Sequence, residues 1–249
     1  MPTLSRSEAT CTNRRTGLTD AGTVDAWQPV AVERGDEVRT YKARRRVTAG
    51  QAEALERLLP AYGVDLHRAF DTREVFGRSA PLVLEIGSGM GEATAAMAAA
   101  DPARDLLAVE VHTPGVATLL RRLEAAGLTN VRVVEVDAVQ LLRDALPTDC
   151  LDEVRVFFPD PWPKARHGKR RLLSPGFAQL VADRLRPGGR LHVATDWADY
   201  ALLTRAVVEG SGRFLVVGTH RESRPITRFE ARGHAEGRQS YDLVAVRTS

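Results

Sequence analysis

The sequence predicts an α/β fold: a mostly parallel, doubly wound sheet with an antiparallel strand at one edge. Three observations carry that reading. From Pro81 onward, short apolar runs appear without polar alternation ("LVLEIG", "DLLAVEV", "VRVVEVD", "VRVFF", "RLHVATD"), as expected of strands buried on both faces. Longer amphipathic pieces lie between them ("EATAAMAAA", "GVATLLRRLEAAG", "AVQLLRDAL", "SPGFAQLVADRLRPGG"), giving repeated βαβ units. The last two runs, "RFLVVGTH" and "SYDLVAVR", have no obvious helix between them, which suggests an antiparallel pair closing the sheet.

Taken in order, residues 1–37 are polar and weakly patterned and read as a mobile tail. Residues 38–249 read as one domain. Its first part, 38–80, holds a basic arm, "VRTYKARRRVTAGQ", and a helix, "AEALERLLPAY", whose apolar positions recur at helical spacing. Residues 81–249 form the layered core, and no internal repeat or low-complexity tract interrupts it.

The totals bound the function. With 249 residues, 43% hydrophobic and 27% charged, the chain has an ordinary globular composition. Net charge is +3 and the pI about 9.1, with arginine clustered at 39–46 and 164–171. Such clusters suit phosphate groups or serve as solvated faces. Cys11 and Cys150 are the only cysteines, and neither they nor the six histidines have metal-ligand spacing. That composition fits a reducing cytosol and no metal site. No apolar run resembles a signal peptide or approaches the roughly 20 residues of a membrane span, so the expected location is cytoplasmic.

In an open α/β sheet, ligands sit beyond the carboxyl ends of the strands. Those ends deliver Glu85, Glu110, Asp137, Asp160 and Asp196. One such acid is usually a helix N-cap or a turn residue; five together point to a ligand. "LEIGSGMGEA" puts Gly87, Gly89 and Gly91 between a strand and a helix, where close backbone approach to a ligand is needed. The dinucleotide fingerprint requires a further glycine where Glu92 stands. Glu85, just ahead, is a poor neighbour for pyrophosphate and a good one for an ammonium or sulfonium group. Glu110 falls where such folds hold ribose hydroxyls, and Asp137 where an adenine ring is approached. S-adenosylmethionine fits this set of groups; NAD fits it poorly.

"VFFPDPWPKARHGKRR", Val156 to Arg171, combines three prolines with six basic side chains, counting His167. The prolines exclude a helix around Asp160 and the charge excludes a buried strand, leaving a stiff exposed loop at a strand end.

With these motifs placed, the sequence resembles the bacterial tRNA (guanine-N7-)-methyltransferase family from about Val38 to the end. The likeness rests on "RTYKARRRVTAGQ", "LEIGSGMGE", "VEVH", "FFPDPWPKARHGKRRL", "TDW" and "TRFEARGH". It implies a Rossmann-like, S-adenosylmethionine-dependent methyltransferase fold. The implied reaction moves a methyl group to N7 of guanine 46 in the tRNA variable loop and leaves S-adenosylhomocysteine. No obligatory protein partner is implied, in a monomer or homodimer. The resemblance carries cofactor contacts onto Glu85, Glu110, Asp137 and Asp160, with Asp160 catalytic, and substrate contacts onto Lys164, Asp196, Thr227, Arg228, Phe229 and Glu230. Ser88 stands where an aromatic side chain is common, Arg228 replaces a frequent lysine, and Val136 occupies a usually more polar position.

Guanine N7 is an acceptor without a proton to remove, so the work is alignment and charge stabilisation, for which Asp160 is suited. Arg166, Lys169, Arg170 and Arg171 are expected to contact RNA phosphates, with Arg44, Arg45 and Arg46 a second contact or a solubilising run. Trp162 either stacks on a displaced base or packs the loop. Glu230 and Asp196 are expected to accept hydrogen bonds from guanine N1 and N2. The rival readings are an S-adenosylmethionine enzyme for a small molecule or ribosomal RNA, a non-catalytic RNA-binding protein, and an NAD-dependent oxidoreductase.

Overall fold

A computed structural model describes residues 46–68 and 70–249. The expected tail, Arg44 and Arg45 lie outside the described residues. Seven strands, β1 (Leu82–Ile86), β2 (Asp105–Val109), β3 (Val131–Val134), β4 (Leu151–Phe157), β5 (Leu185–Thr195), β6 (Phe214–Gly218) and β7 (Tyr241–Arg247), form one sheet. Their order is β3-β2-β1-β4-β5-β7-β6. The first five pair in parallel, and β7 runs antiparallel to both β5 and β6. The antiparallel strand therefore sits one place in from the edge, with β6 outermost. The order reverses between β1 and β4, which opens a crevice at their carboxyl ends.

Both faces of the central strands are covered, as the unbroken apolar runs required. On one face, Ala54 and Leu58 of α1 (Ala49–Tyr62), Ala98 of α3 (Glu92–Ala100) and Leu119, Leu120 and Leu123 of α4 (Thr113–Ala125) pack on Val83, Leu106, Val131 and Val133. On the other, Leu141, Phe177, Val181, Tyr200 and Val208 pack on Leu84, Leu107, Val154, Leu191 and Leu243. Those residues belong to the α5 (Ala138–Gln140) region, to α6 (Pro175–Arg184) and to α7 (Ala198–Gly210).

Local signals explain several boundaries. Thr48 and Gln51 form a reciprocal capping box at the start of α1. Ser174 caps α6, with Pro175 in its first turn. The expected helix "AVQLLRDAL" begins as α5 but continues as a π-helical turn, Leu141–Ala145. Three helices were not expected from the pattern: the short α2 (Thr72–Phe76), α7, and α8 (Arg228–Ala235), which lies between β6 and β7. The T-x-x-E spacing of Thr227 and Glu230 is the signal for α8: the Thr227 hydroxyl accepts the Glu230 amide at 3.3 Å.

Over β4, β5 and β7 the first face is not apolar. Glu153, Arg155, His192 and Asp242 are buried there. This polar layer is where the segment between β6 and β7 attaches.

Candidate active site

A cavity of about 530 Å³ opens at the carboxyl ends of β1 to β4, within the size range of small-molecule sites. Gly87, Glu110, Asp137, Asp160, Arg170 and Arg171 all line it. The glycine turn makes room. Gly87, Gly89 and Gly91 have φ of 76°, 55° and 75°, in the left-handed region. A side chain at Gly91 would also strike Leu119 Cδ1 of α4, 2.3 Å from its Cβ position.

Each acid is held in its own way. Glu110 Oε2 accepts the Gly89 amide at 2.7 Å, while Oε1 accepts the amides of Val111 and His112 at 2.8 and 2.9 Å. The carboxylate thus ties the glycine turn to the end of β2 while facing the cavity. Asp137 is the N-cap of α5, its Oδ1 accepting the amides of Val139 and Gln140. The structural role and the ligand-facing position coexist at this residue.

Glu85 is different. It is 2% exposed and its Oε2 has no partner among the described residues. Burial, reinforced by the neighbouring Glu110 and Glu153 charges, pushes its carboxyl up to about 7, against the pull of Thr94 and Arg155. A buried acid with an unmet acceptor just ahead of the glycine turn, within which the Ser88 hydroxyl is also unpartnered among the described residues, is the environment an ammonium group would complete.

The sign of the resulting pH dependence follows from the raised value. The folded state holds the Glu85 proton more tightly than the unfolded chain, whose ordinary value is 4.5. Stability from this group is therefore fully present below 4.5 and is lost as pH rises through about 7. The loss is of order 3 kcal/mol. Urea unfolding of the free protein at pH 5 and pH 8 is expected to show this fall, and Glu85→Gln to remove most of it.

The proline-rich stretch leaves β4 at Phe157 and stays irregular to Lys164, with a 3₁₀ segment, Ala165–Arg170, beyond the prolines. Asp160 is exposed on the cavity. Phe158 and Trp162, on either side of it, have φ of 52° and 42°. Left-handed backbone at non-glycine residues costs about 1–3 kcal/mol each and persists only where neighbours enforce it. Trp162 packs within the loop, with the His167 ring edge-on at 5.6 Å and the Arg170 guanidinium 4.8 Å from its centroid.

Comparisons with known proteins agree with this geometry. A family model described as "Putative methyltransferase" matches residues 79–243. The tRNA (guanine-N(7)-)-methyltransferase of Streptomyces avermitilis is 51% identical over 215 residues, covering 83% of this chain and 74% of that protein. That of Halorhodospira halophila is 51% identical over 217 residues, covering 84% and 94%. The chain belongs to the tRNA (guanine-N(7)-)-methyltransferase family. Among solved structures, the 16S rRNA methyltransferase KamB shares the fold, with a TM-score of 0.55 at 18% identity over 73% of this chain and 96% of that one.

The expected family site is brought together only in part. Glu85 lies behind the glycine turn, and Lys164, Arg166 and Lys169 are exposed on the loop. Asp196 accepts from Arg238 Nε at 2.8 Å, and Thr227 caps α8. The Arg228 amide donates to Glu92 Oε2 at 3.1 Å, so the start of α8 touches the start of α3. Phe229 is 52% exposed, its ring 5.3 Å from that of Phe158.

Two of the expected contact residues are engaged within the protein. Glu230 does not offer a free carboxylate to a guanine edge: its side chain is fully buried and both oxygens accept from Arg221 and Arg224 at 2.6–3.1 Å. Arg171 does not point outward as a phosphate contact: Nε and Nη2 donate to the carbonyls of Pro161 and Trp162 at 2.9 and 3.2 Å. Arg170 is likewise engaged over Trp162. Arg221 and Arg224 had gone unremarked in the sequence, since neither falls in a quoted motif.

Among the described residues no group of side chains is arranged to hold a metal ion, and no helix is long and apolar enough to cross a membrane.

Proposed function

We propose that this protein transfers the methyl group of S-adenosylmethionine to N7 of guanine 46 in the tRNA variable loop, releasing S-adenosylhomocysteine. The observation that carries the reading is the convergence of Glu110, Asp137 and Asp160 on one cavity beside the glycine turn, in a chain half identical to relatives named for this chemistry. When bound, the cofactor supplies an electrophilic methyl group on a positively charged sulfur.

In this reading Glu85 takes the ammonium of the amino-acid end, Glu110 the ribose hydroxyls, and Asp137 the adenine edge. Asp160 faces the reacting centre, where positive charge passes to the purine as N7 is alkylated. N7 needs no base, because its lone pair is already free. Lys164, Arg166 and Lys169 meet RNA phosphates at the mouth. Asp196 and the start of α8 approach the RNA from the other side, with Glu230 acting through the arginines it holds.

The test is incubation of purified protein with radiolabelled S-adenosylmethionine and unmodified tRNA transcripts, followed by borohydride–aniline cleavage. The expected result is label in RNA and one cut at the variable-loop guanine. Label without that cut overturns the target, and no label overturns the activity. Lys164→Gln, Arg166→Gln and Lys169→Gln are each expected to weaken tRNA binding and to lower the slope of log K against log salt by about 0.7–0.9, measured by filter binding.

A further inference from the structure

We propose that Arg171 is a positioning residue that clamps the segment from Phe158 to Trp162 in its strained shape and thereby fixes Asp160. The inference goes beyond the reading above and rests on it only for the step at which Asp160 acts.

The geometry is specific. Asp160 is bracketed by two non-glycine residues with left-handed φ, and each of them, Phe158 and Trp162, stands directly before a proline, where the backbone is already restricted. The three prolines of "FPDPWP" lack amide donors, which limits what the segment can do to hold itself in such a shape. Restraints from outside are visible at both ends. Phe158 is gripped at its amide, which donates to Ala194 O at 2.7 Å, and by Arg224, 5.0 Å from its ring centroid.

At the far end the restraint is Arg171. Its guanidinium spans two consecutive carbonyls, those of Pro161 and Trp162, and lies 5.7 Å from the ring of Tyr200. Tyr200 is fully buried in α7, and its hydroxyl accepts the Leu173 amide at 3.2 Å, so the surface beneath the guanidinium is anchored to the core. A planar fork with fixed donors can satisfy two carbonyls and lie over a ring at once; an ammonium cannot. Arg171 is half-buried in the cavity wall, whereas Arg166 and Lys169 of the same cluster are exposed.

The experiment compares Arg171→Lys and Arg171→Gln with Lys169→Gln. It reads kcat, KM for tRNA, the salt slope of binding, and tryptic cleavage after Lys164 and Arg166 in the free protein. Both Arg171 variants are expected to lower kcat by about 10- to 100-fold with KM and salt slope unchanged. Cleavage in the loop should quicken by roughly threefold or more while other sites are cut at the wild-type rate. Lys169→Gln should do the reverse, moving KM and slope but not kcat.

Arg171→Lys retaining wild-type kcat, or Arg171→Gln raising KM and flattening the salt slope, would overturn the clamp in favour of a phosphate contact. Unchanged cleavage in both variants would overturn it too. If the wild-type protein methylates no tRNA, the functional reading fails on its own, and loop cleavage alone decides the clamp in either direction.

Discussion

Arg224→Met is expected to destabilise the protein by about 3–5 kcal/mol, because it leaves two buried carboxylates short of their common counter-ion. The Arg224 side chain is 1% exposed and donates to both oxygens of Glu230 and both of Asp242, at 2.8–3.1 Å. Its guanidinium also lies 5.5 and 5.0 Å from the rings of Phe157 and Phe158. Burial alone would raise both acids. Hydrogen bonds from Arg221, Arg224 and Ser240 to Glu230, and from His192 and Arg224 to Asp242, outweigh it and bring each carboxyl down to about 2.

A depressed value contributes stability above the unfolded pKa that is lost as pH falls through the folded one. In the wild type this loss belongs to the interval from the ordinary 4.5 and 3.8 down to about 2. In Arg224→Met the acids rise, so this acid-side loss shrinks and the variant should be less destabilised relative to wild type at pH 4 than at pH 7. Urea midpoints at pH 7 and pH 4 check both statements. Adding Glu230→Gln and Asp242→Asn to Arg224→Met should restore part of the loss at pH 7, since the unpaired charges are then gone. A single variant within about 1 kcal/mol of wild type would mean that water reaches the site and the network is not a strut.

That network also shows where sequence reasoning reached its limit. The strands were legible because a buried parallel strand must be apolar on both faces, and "LVLEI" and "DLLAV" can be little else. The acids at their ends were legible because the α/β architecture assigns strand ends to ligands. The direction a side chain takes was not legible. Arg171 counted as one more positive charge in a basic loop, yet its fork turns inward to two carbonyls. Glu230 read as an acceptor for a base, yet Arg221 and Arg224, nine and six residues earlier, close over it once α8 folds back onto β7. Helix α8 was missed because it is short and polar and attaches through ion pairs rather than through an apolar stripe.

The largest loss of activity is expected at Asp160, and it should fall on kcat rather than on stability. The residue is exposed within the proline-rich loop, and no hydrogen bond or ion pair ties its side chain to a neighbour among the described residues. Asp160→Ala should therefore leave the unfolding free energy within about 0.5 kcal/mol of wild type. In the free protein water screens its charge. On the proposed reading, RNA closing the mouth would expel that water and leave the carboxylate to act on the cationic purine across a much lower dielectric. Removing one preorganised charge of this kind costs about 10²- to 10³-fold in kcat.

Asp160→Asn separates charge from shape. If the carboxylate stabilises developing positive charge, asparagine should be nearly as impaired as alanine, although it preserves the volume and the turn. If Asp160 only orders the loop, asparagine should recover most of the rate. Single-turnover methylation of tRNA by both variants, with S-adenosylhomocysteine affinity measured by calorimetry, distinguishes these outcomes. An Asp160→Asn enzyme within about threefold of wild type would remove the electrostatic role and leave Asp160 as a turn residue beside a site that works by alignment alone.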